Sequence, residues 1–257
     1  MEKPLILVTN DDGITAPGLR KLVSLMRKIG DVTVVAPDSP QSGMGHAITL
    51  DNTLYSKKMK LDPETEDLLE YSCSGTPADC VKLGLQELLP RQPDICVSGI
   101  NHGSNSSINV IYSGTMSAAI EAGLEGVPAI GFSLCDYSWE ADSSQAEEFI
   151  ETIVRQSLKN GIPKGTVLNV NIPKLEKQDI KGIKICRQAK ANWKEKFDKR
   201  TNPIGKEYYW LTGAFELLDK GEDTDEWALA NGYISVVPTH FDLTAHHVIQ
   251  ELNSWDL

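Results

Sequence analysis

The chain has 257 residues, 40% hydrophobic and 24% charged, enough for one large domain with a sizeable core, or for a domain carrying an extension. Asp and Glu number 36 against 25 Lys and Arg, giving a formal net charge of -11. That balance argues against a nucleic-acid backbone or an anionic membrane as the main partner. It leaves room for a small anion where something positive sits locally.

The apolar run after Met1-Glu2-Lys3-Pro4 is too short for a signal segment or a spanning helix. Nothing later approaches about 18 consecutive apolar residues. The five cysteines (Cys73, Cys80, Cys96, Cys135 and Cys186) are odd in number, scattered and without a CxxC pair. They read as buried free thiols rather than as disulfides or metal ligands, and the chain reads as cytoplasmic.

Taken in order, the first half alternates strands and helices. Leu5 to Val8 is a short continuous apolar run, expected as a central strand buried on both faces. Pro17 opens a helix carrying Leu19, Leu22, Val23, Met26 and Ile29 at helical spacing, and Gly30 ends it. Val32 to Val35 is a second buried strand, stopped at Pro37. Thr76-Pro77-Ala78-Asp79 is a helix start, with Thr76 as N-cap, Pro77 in the first turn and Asp79 closing a box-like cap. That helix runs to about Leu89, followed by a strand at Ile95 to Val97. Gly114-Thr115 opens a small-residue helix, Val127 to Phe132 gives a strand, 143–160 a helix and Val167 to Ile172 a strand. Such an order implies a mostly parallel α/β sheet with helices on both faces.

Beyond about residue 185 the rhythm changes. Lys190 to Arg200 is polar and basic-tinged, Tyr208 to Leu211 reads as a strand, 219–226 as an acidic solvated loop, and Ile234 to Val237 as a late strand. The organisation expected is a catalytic core over 1–185 and an extension over 186–257 that packs elsewhere, on a partner subunit for example.

Three polar clusters follow predicted strands directly: Asn10 to Gly13, Pro37 to Gly43, and Ser98 to Asn105. In an open parallel sheet the carboxyl ends of the strands share one edge, where ligands bind, so three loops distant in sequence converge. Adjacent carboxylates at Asp11 and Asp12 repel unless one is protonated or a cation binds. Hydroxyl and amide oxygens from the other loops would complete an all-oxygen donor set, suited to Mg²⁺ or Mn²⁺ before Zn²⁺. The alternative is that Asp11 or Asp12 caps a turn or the next helix, and that Ser42 and Asn101 serve loop geometry.

Ser113-Gly114-Thr115 enters a helix whose free N–H groups and positive dipole end form an anion site, or else an ordinary N-cap. A cation site and an anion site together imply a phosphoryl substrate and metal-assisted attack of water. His46 and His102 lie in the candidate loops, either to protonate a leaving oxygen or as structural histidines. Tyr208-Tyr209-Trp210 reads as a buried or edge strand rather than a base-stacking surface. His240, His246 and His247 match no zinc spacing.

Leu7 to Gly13, Ala36-Pro37-Asp38 with Gln41-Ser42-Gly43, Ser74 to Val81, Ser98 to Asn105 and Tyr112 to Thr115 resemble the survival protein SurE family of 5′/3′-nucleotidases. The likeness continues through Tyr209-Trp210, Thr224-Asp225, Gly232 to Val236 and Asp242-Leu243-Thr244, and so spans nearly the whole chain. The resemblance implies a Rossmann-like three-layer sandwich whose C-terminal segment is exchanged between subunits of a homodimer or homotetramer. It implies hydrolysis of nucleoside monophosphates with one divalent cation per subunit, some members acting on short polyphosphate as well. The family's metal ligands fall on Asp11, Asp12, Ser42 and Asn101, and its substrate contacts on Asn105, Ser113, Gly114 and Thr115. The resemblance identifies no catalytic acid or base. The chain departs from many relatives at Ser107, where glycine is common, and at Asn109, where an acid is frequent.

Three rivals weigh less. A phospho-aspartyl phosphatase wants Asp-x-Asp, and here the carboxylates are adjacent. A nicotinamide-dependent oxidoreductase wants GxGxxG after the first strand, and none is present. A nucleotide-sensing module would use the same loops without turnover.

Overall fold

The structure is a computed structural model that describes residues 3–61, 65 and 67–256. β1 (Leu5–Thr9) leads through a tight loop into α1 (Pro17–Arg27) and β2 (Asp31–Pro37). β3 (Ser56–Met59), β4 (Leu69–Cys73) and α2 (Pro77–Leu83) follow, the last relaxing into one π-helical turn over Gly84–Leu88. β5 (Ile95–His102), α3 (Gly114–Leu124), β6 (Ala129–Leu134), α4 (Glu147–Asn160) and β7 (Thr166–Ile172) complete the alternation.

One nine-stranded sheet forms the centre, and β4, β2, β1, β5, β6 and β7 lie parallel in it, in that order. β1 is buried at every position because both its faces are covered. Ile6 and Val8 join Leu19, Leu22 and Met26 of α1 and Ile150 and Val154 of α4 on one side. Leu7 faces the other way, with Cys80 and Val81 of α2 and Met116, Ala119 and Ala122 of α3. This gives the expected three layers, and the continuous apolar run in β1 is the direct consequence. The α2 cap is also as read: Asp79 N–H donates to Thr76 Oγ1 at 3.2 Å, and Thr76 N–H to Asp79 Oδ2 at 2.9 Å.

After β7 come β8 (Ile183–Ile185), β9 (Ala191–Thr201), β10 (Glu207–Leu217), α5 (Asp225–Ala230), β11 (Ile234–His240) and the short α6 (Ile249–Leu252). β11 returns to the main sheet, antiparallel to β7 and parallel to β8. β9 and β10 form a separate antiparallel hairpin, paired from Ala191↔Leu217 to Thr201↔Glu207 and largely exposed. The polar stretch at 190–200 is therefore a strand, one without a buried face to impose alternation. The acidic run is not all solvated loop: Thr224 Oγ1 caps Trp227 N–H, opening α5, and Asp225 is buried.

Among the described residues all five cysteines are free, with Cys73, Cys80, Cys96 and Cys186 buried and Cys135 partly so. No described helix is long and apolar enough to cross a membrane.

Candidate active site

At the carboxyl end of β1, Asn10 rather than either aspartate holds the turn. Its Nδ2 donates to Gly13 O at 3.0 Å and its Oδ1 accepts from Gly13 N–H at 3.2 Å. Gly13 has φ 101°, a conformation that favours glycine. The N-cap of α1 is Ala16, with no side-chain cap. Neither Asp11 nor Asp12 is therefore occupied as a cap, and both are buried.

Asp11 Oδ1 accepts from Thr115 Oγ1 at 2.5 Å. Burial, then the neighbouring charge of Asp12, pushes its carboxyl up to about 6. Asp12 is also raised by burial, with its hydrogen bond to His102 opposing. Asp12 Oδ2 lies 2.9 Å from His102 Nδ1, while its Oδ1 is buried with no partner among the described residues. The His102 ring is set edge-on against Trp139, with centroids 5.2 Å apart.

The first turn of α3 meets this pair. Ser113 Oγ caps the helix by accepting from Met116 N–H at 3.0 Å. A Cβ on Gly114 would sit 2.7 Å from Asp11 Cβ and 2.9 Å from its Oδ2, so only glycine lets the helix approach this closely. The Thr115 backbone N–H is also directed at Asp11.

Asp11, Ser42, Asn101, Asn105 and Ser113 line one cleft of about 320 Å³. Asp12 lines a smaller cavity beside it, together with Asn101 and His102. Gly114 and Thr115 sit behind Asp11. Asn101 follows a register irregularity in β5 relative to β6, which re-aims the strand end. Its Nδ2 donates to Gly103 O at 2.8 Å, so its Oδ1 is the atom left for a cation.

Ser42 is exposed, on a strap pinned at several points. Gln41 N–H donates to Asp11 O at 2.7 Å and Gly45 N–H to Tyr112 O at 3.2 Å. His46 Nε2 lies 2.8 Å from the buried Glu121 carboxylate of α3, which also holds Lys82. Of the two candidate histidines, then, His102 reaches the cleft and His46 fastens the strap.

Asn105 is positioned by groups that sequence reasoning passed over. Its N–H donates to Asn171 Oδ1 at 2.8 Å, its carbonyl accepts from Asn169 Nδ2 at 2.9 Å, and its own Nδ2 donates to Ser133 Oγ at 2.8 Å. Asparagines two apart in an otherwise apolar buried strand were the available signal. Next along the loop, Ser107 has φ 52° and donates its N–H to Asp225 Oδ2 at 2.8 Å. Asp225 Oδ1 accepts from Ala189 N–H at 2.9 Å, tying the loop to the base of the hairpin. The Thr224-Asp225-Glu226 helix-start pattern was legible, but the acidic run masked it.

The donor set fits a hard divalent cation. It is all oxygen, it includes a buried carboxylate oxygen with no partner, and it joins two carboxylates whose mutual repulsion a cation would relieve. Among the described residues no group of three His, Cys, Asp or Glu side chains is arranged to hold a metal ion by itself, so Ser and Asn oxygens are needed to complete the set.

A family model described as Survival protein SurE matches residues 6–195. The chain belongs to the SurE family. A 5'-nucleotidase SurE of Flavobacterium johnsoniae is 68% identical over 256 residues, covering 100% of this chain and 98% of that protein. A 5'-nucleotidase SurE of Cytophaga hutchinsonii is 61% identical over 254 residues, covering 98% and 97%. The crystal structure of the SurE protein from Aquifex aeolicus is similar at 40% identity and a TM-score of 0.82, covering 97% of this chain and 98% of that one. SurE membership and the layered α/β fold thus agree with the expectation drawn from the motifs.

Proposed function

We propose that the chain is a divalent-metal-dependent phosphomonoesterase that hydrolyses nucleoside 5′-monophosphates, and 3′-monophosphates as well, to nucleoside and phosphate. The observation that carries this reading is Asp12, a buried carboxylate with one oxygen on His102 and the other without a partner, adjoining the equally buried Asp11. Such a pair is poised for a cation and, through it, for a phosphate. The relatives' name, 5'-nucleotidase SurE, supports the substrate class.

Asp11, Asp12, Ser42 and Asn101 would hold one Mg²⁺ or Mn²⁺ per subunit. When bound, the cation supplies a Lewis acid that offsets the phosphate's charge and eases attack by water. The chain's own residues do the rest. The first turn of α3, at Ser113-Gly114-Thr115, turns its positive dipole end toward the phosphate, with Ser113 in the cleft wall and the Thr115 N–H held by Asp11. His102 orients Asp12, and Thr115 orients Asp11. Asn105, with its amide turned to Ser133, acts by fixing the course of the loop beside the phosphate.

Residues 1–185 supply the catalytic core in this reading, and 186–257 the segment through which a cytoplasmic homodimer or homotetramer assembles by exchange. Exposed apolar side chains on that segment, among them Phe197, Trp210 and Trp255, support an assembly role.

The test is phosphate release from a panel of nucleoside monophosphates with Mg²⁺ or Mn²⁺, running Asp12→Asn beside the unaltered chain. Metal-dependent release that collapses in a folded Asp12→Asn protein is the expected result. Nucleotide binding without release under either metal would instead make this a binding module.

A further inference from the structure

The nucleotidase chemistry accounts for the polar lining of the cleft and leaves its aromatic side chains without a task. Tyr112, Tyr137 and Trp193 line the same cleft as Asp11, Ser42 and Asn101. A phosphate and its cation have no use for rings. A nucleobase does, because stacking removes its flat faces from water and every base has a π-face to offer. The cleft volume, about 320 Å³, is of the size that small-ligand sites occupy.

Of the three rings, Trp193 is the one held in place. β9 carries it in from the hairpin, its Nε1–H donates to Asn109 Oδ1 at 2.8 Å, and its ring meets the edge of Phe215 with centroids 5.5 Å apart at 66°. Its exposure is 36%, against 53% for Tyr112 and 72% for Tyr137. A ring fixed before the ligand arrives loses little freedom on binding, so its contact area converts more fully into affinity. Asn109, which supplies the anchor, lies on the same loop as Asn105 and Ser107 and lines the same cleft.

We propose that Trp193 is the platform on which the substrate's nucleobase stacks, so that the β9–β10 hairpin sets preference among nucleotides while the loops after β1 and β5 carry the chemistry. This rests on the nucleotidase reading above. Stacking responds to ring area more than to hydrogen-bond pattern, which favours purines over pyrimidines and separates adenine from guanine weakly.

The experiment is steady-state kinetics of the unaltered chain, Trp193→Ala and Trp193→Phe on AMP, GMP, CMP, UMP and ribose 5-phosphate, the last keeping the sugar and phosphate without a base. Trp193→Ala is expected to raise KM for AMP and GMP about tenfold more than for ribose 5-phosphate, with a smaller excess for CMP and UMP. Trp193→Phe, which keeps a ring face and guards against a misfolded hairpin, retains most of the purine preference. An equal loss on ribose 5-phosphate would make Trp193 merely structural and overturn the proposal. So would unchanged AMP kinetics in Trp193→Ala, or a base-selective loss arising from Tyr137→Ala in its place. If the unaltered chain releases phosphate from none of these compounds, the nucleotidase reading fails instead. Calorimetric binding of AMP and ribose 5-phosphate to the same variants then decides the platform separately.

Discussion

Thr115 Oγ1 donates to Asp11 Oδ1 at 2.5 Å, joining residues 104 positions apart in sequence. The bond fastens the first turn of α3 to the strand end that bears both aspartates. Helix start and carboxylate pair are thereby tied to each other.

Replacing Thr115 with Val keeps the shape and leaves Asp11 short of a donor. A hydrogen bond to a charged group contributes about 1.5–3 kcal/mol, so we expect divalent-cation affinity and kcat/KM each to fall by about tenfold or more. Mn²⁺ binding followed by electron paramagnetic resonance, beside kinetics, checks both. A Thr115→Val protein that binds Mn²⁺ as tightly as its parent would show that Asp11 is held by other means.

Ser107 is the one described non-glycine residue with positive φ, at 52°. A left-handed conformation costs a side-chain-bearing residue about 1–2 kcal/mol, against which Ser107 Oγ donates to Ala189 O at 2.9 Å. Ser107→Gly relieves the strain and loses the bond, leaving stability within about 1 kcal/mol of the parent. Ser107→Ala loses the bond and keeps the strain, and should unfold about 1–2 kcal/mol more easily than Ser107→Gly. Equal urea midpoints for the two variants would contradict this ordering.

Asp79 anchors the far end of the Ser42 strap. Its Oδ2 accepts from Thr49 Oγ1 at 2.6 Å and from Thr76 N–H at 2.9 Å, and its Oδ1 from Thr49 N–H at 3.1 Å. Burial raises this carboxyl, but the hydrogen bonds from Thr49 and Thr76 together outweigh it and hold the group below its ordinary 3.8. A depressed native pKa stabilises the fold above the unfolded value, and the benefit is lost as pH falls through the native one. Asp79→Asn should therefore cost about 1–2 kcal/mol at pH 7. The gap from the parent should close as pH drops below 3.8. Urea melts across that range measure it, and a gap constant down to acid would locate the stabilisation elsewhere.

Burial on two faces made the central fold legible. β1 reads as an unbroken apolar run and β2 as one broken only at Thr33, because both are buried, and α2 announced itself through Thr76 and Asp79. β9 did not, because a strand exposed on both faces carries no alternation, and its aromatic Trp193 is followed directly by the charged run Lys194-Glu195-Lys196. The loops that form the site were also legible, since strand ends in a parallel sheet share an edge. The division of labour inside those loops was not. Nothing in the order Asn10-Asp11-Asp12 says that the asparagine makes the turn and frees the carboxylates. Likewise, only the folded loop shows that of two histidines, one faces Asp12 and the other Glu121.

Asp225 has a consequence for the order in which the molecule is made. The loop running from Asn105 to Asn109 is written in the first half of the gene, yet its course depends on a carboxylate that the ribosome adds more than a hundred residues later. A nascent chain can lay down β1 to β7 and still lack the group that receives Ser107 N–H and ties the loop to Ala189. The wall of the cleft is thus finished late in synthesis, after the strand whose end bears the aspartates is already made.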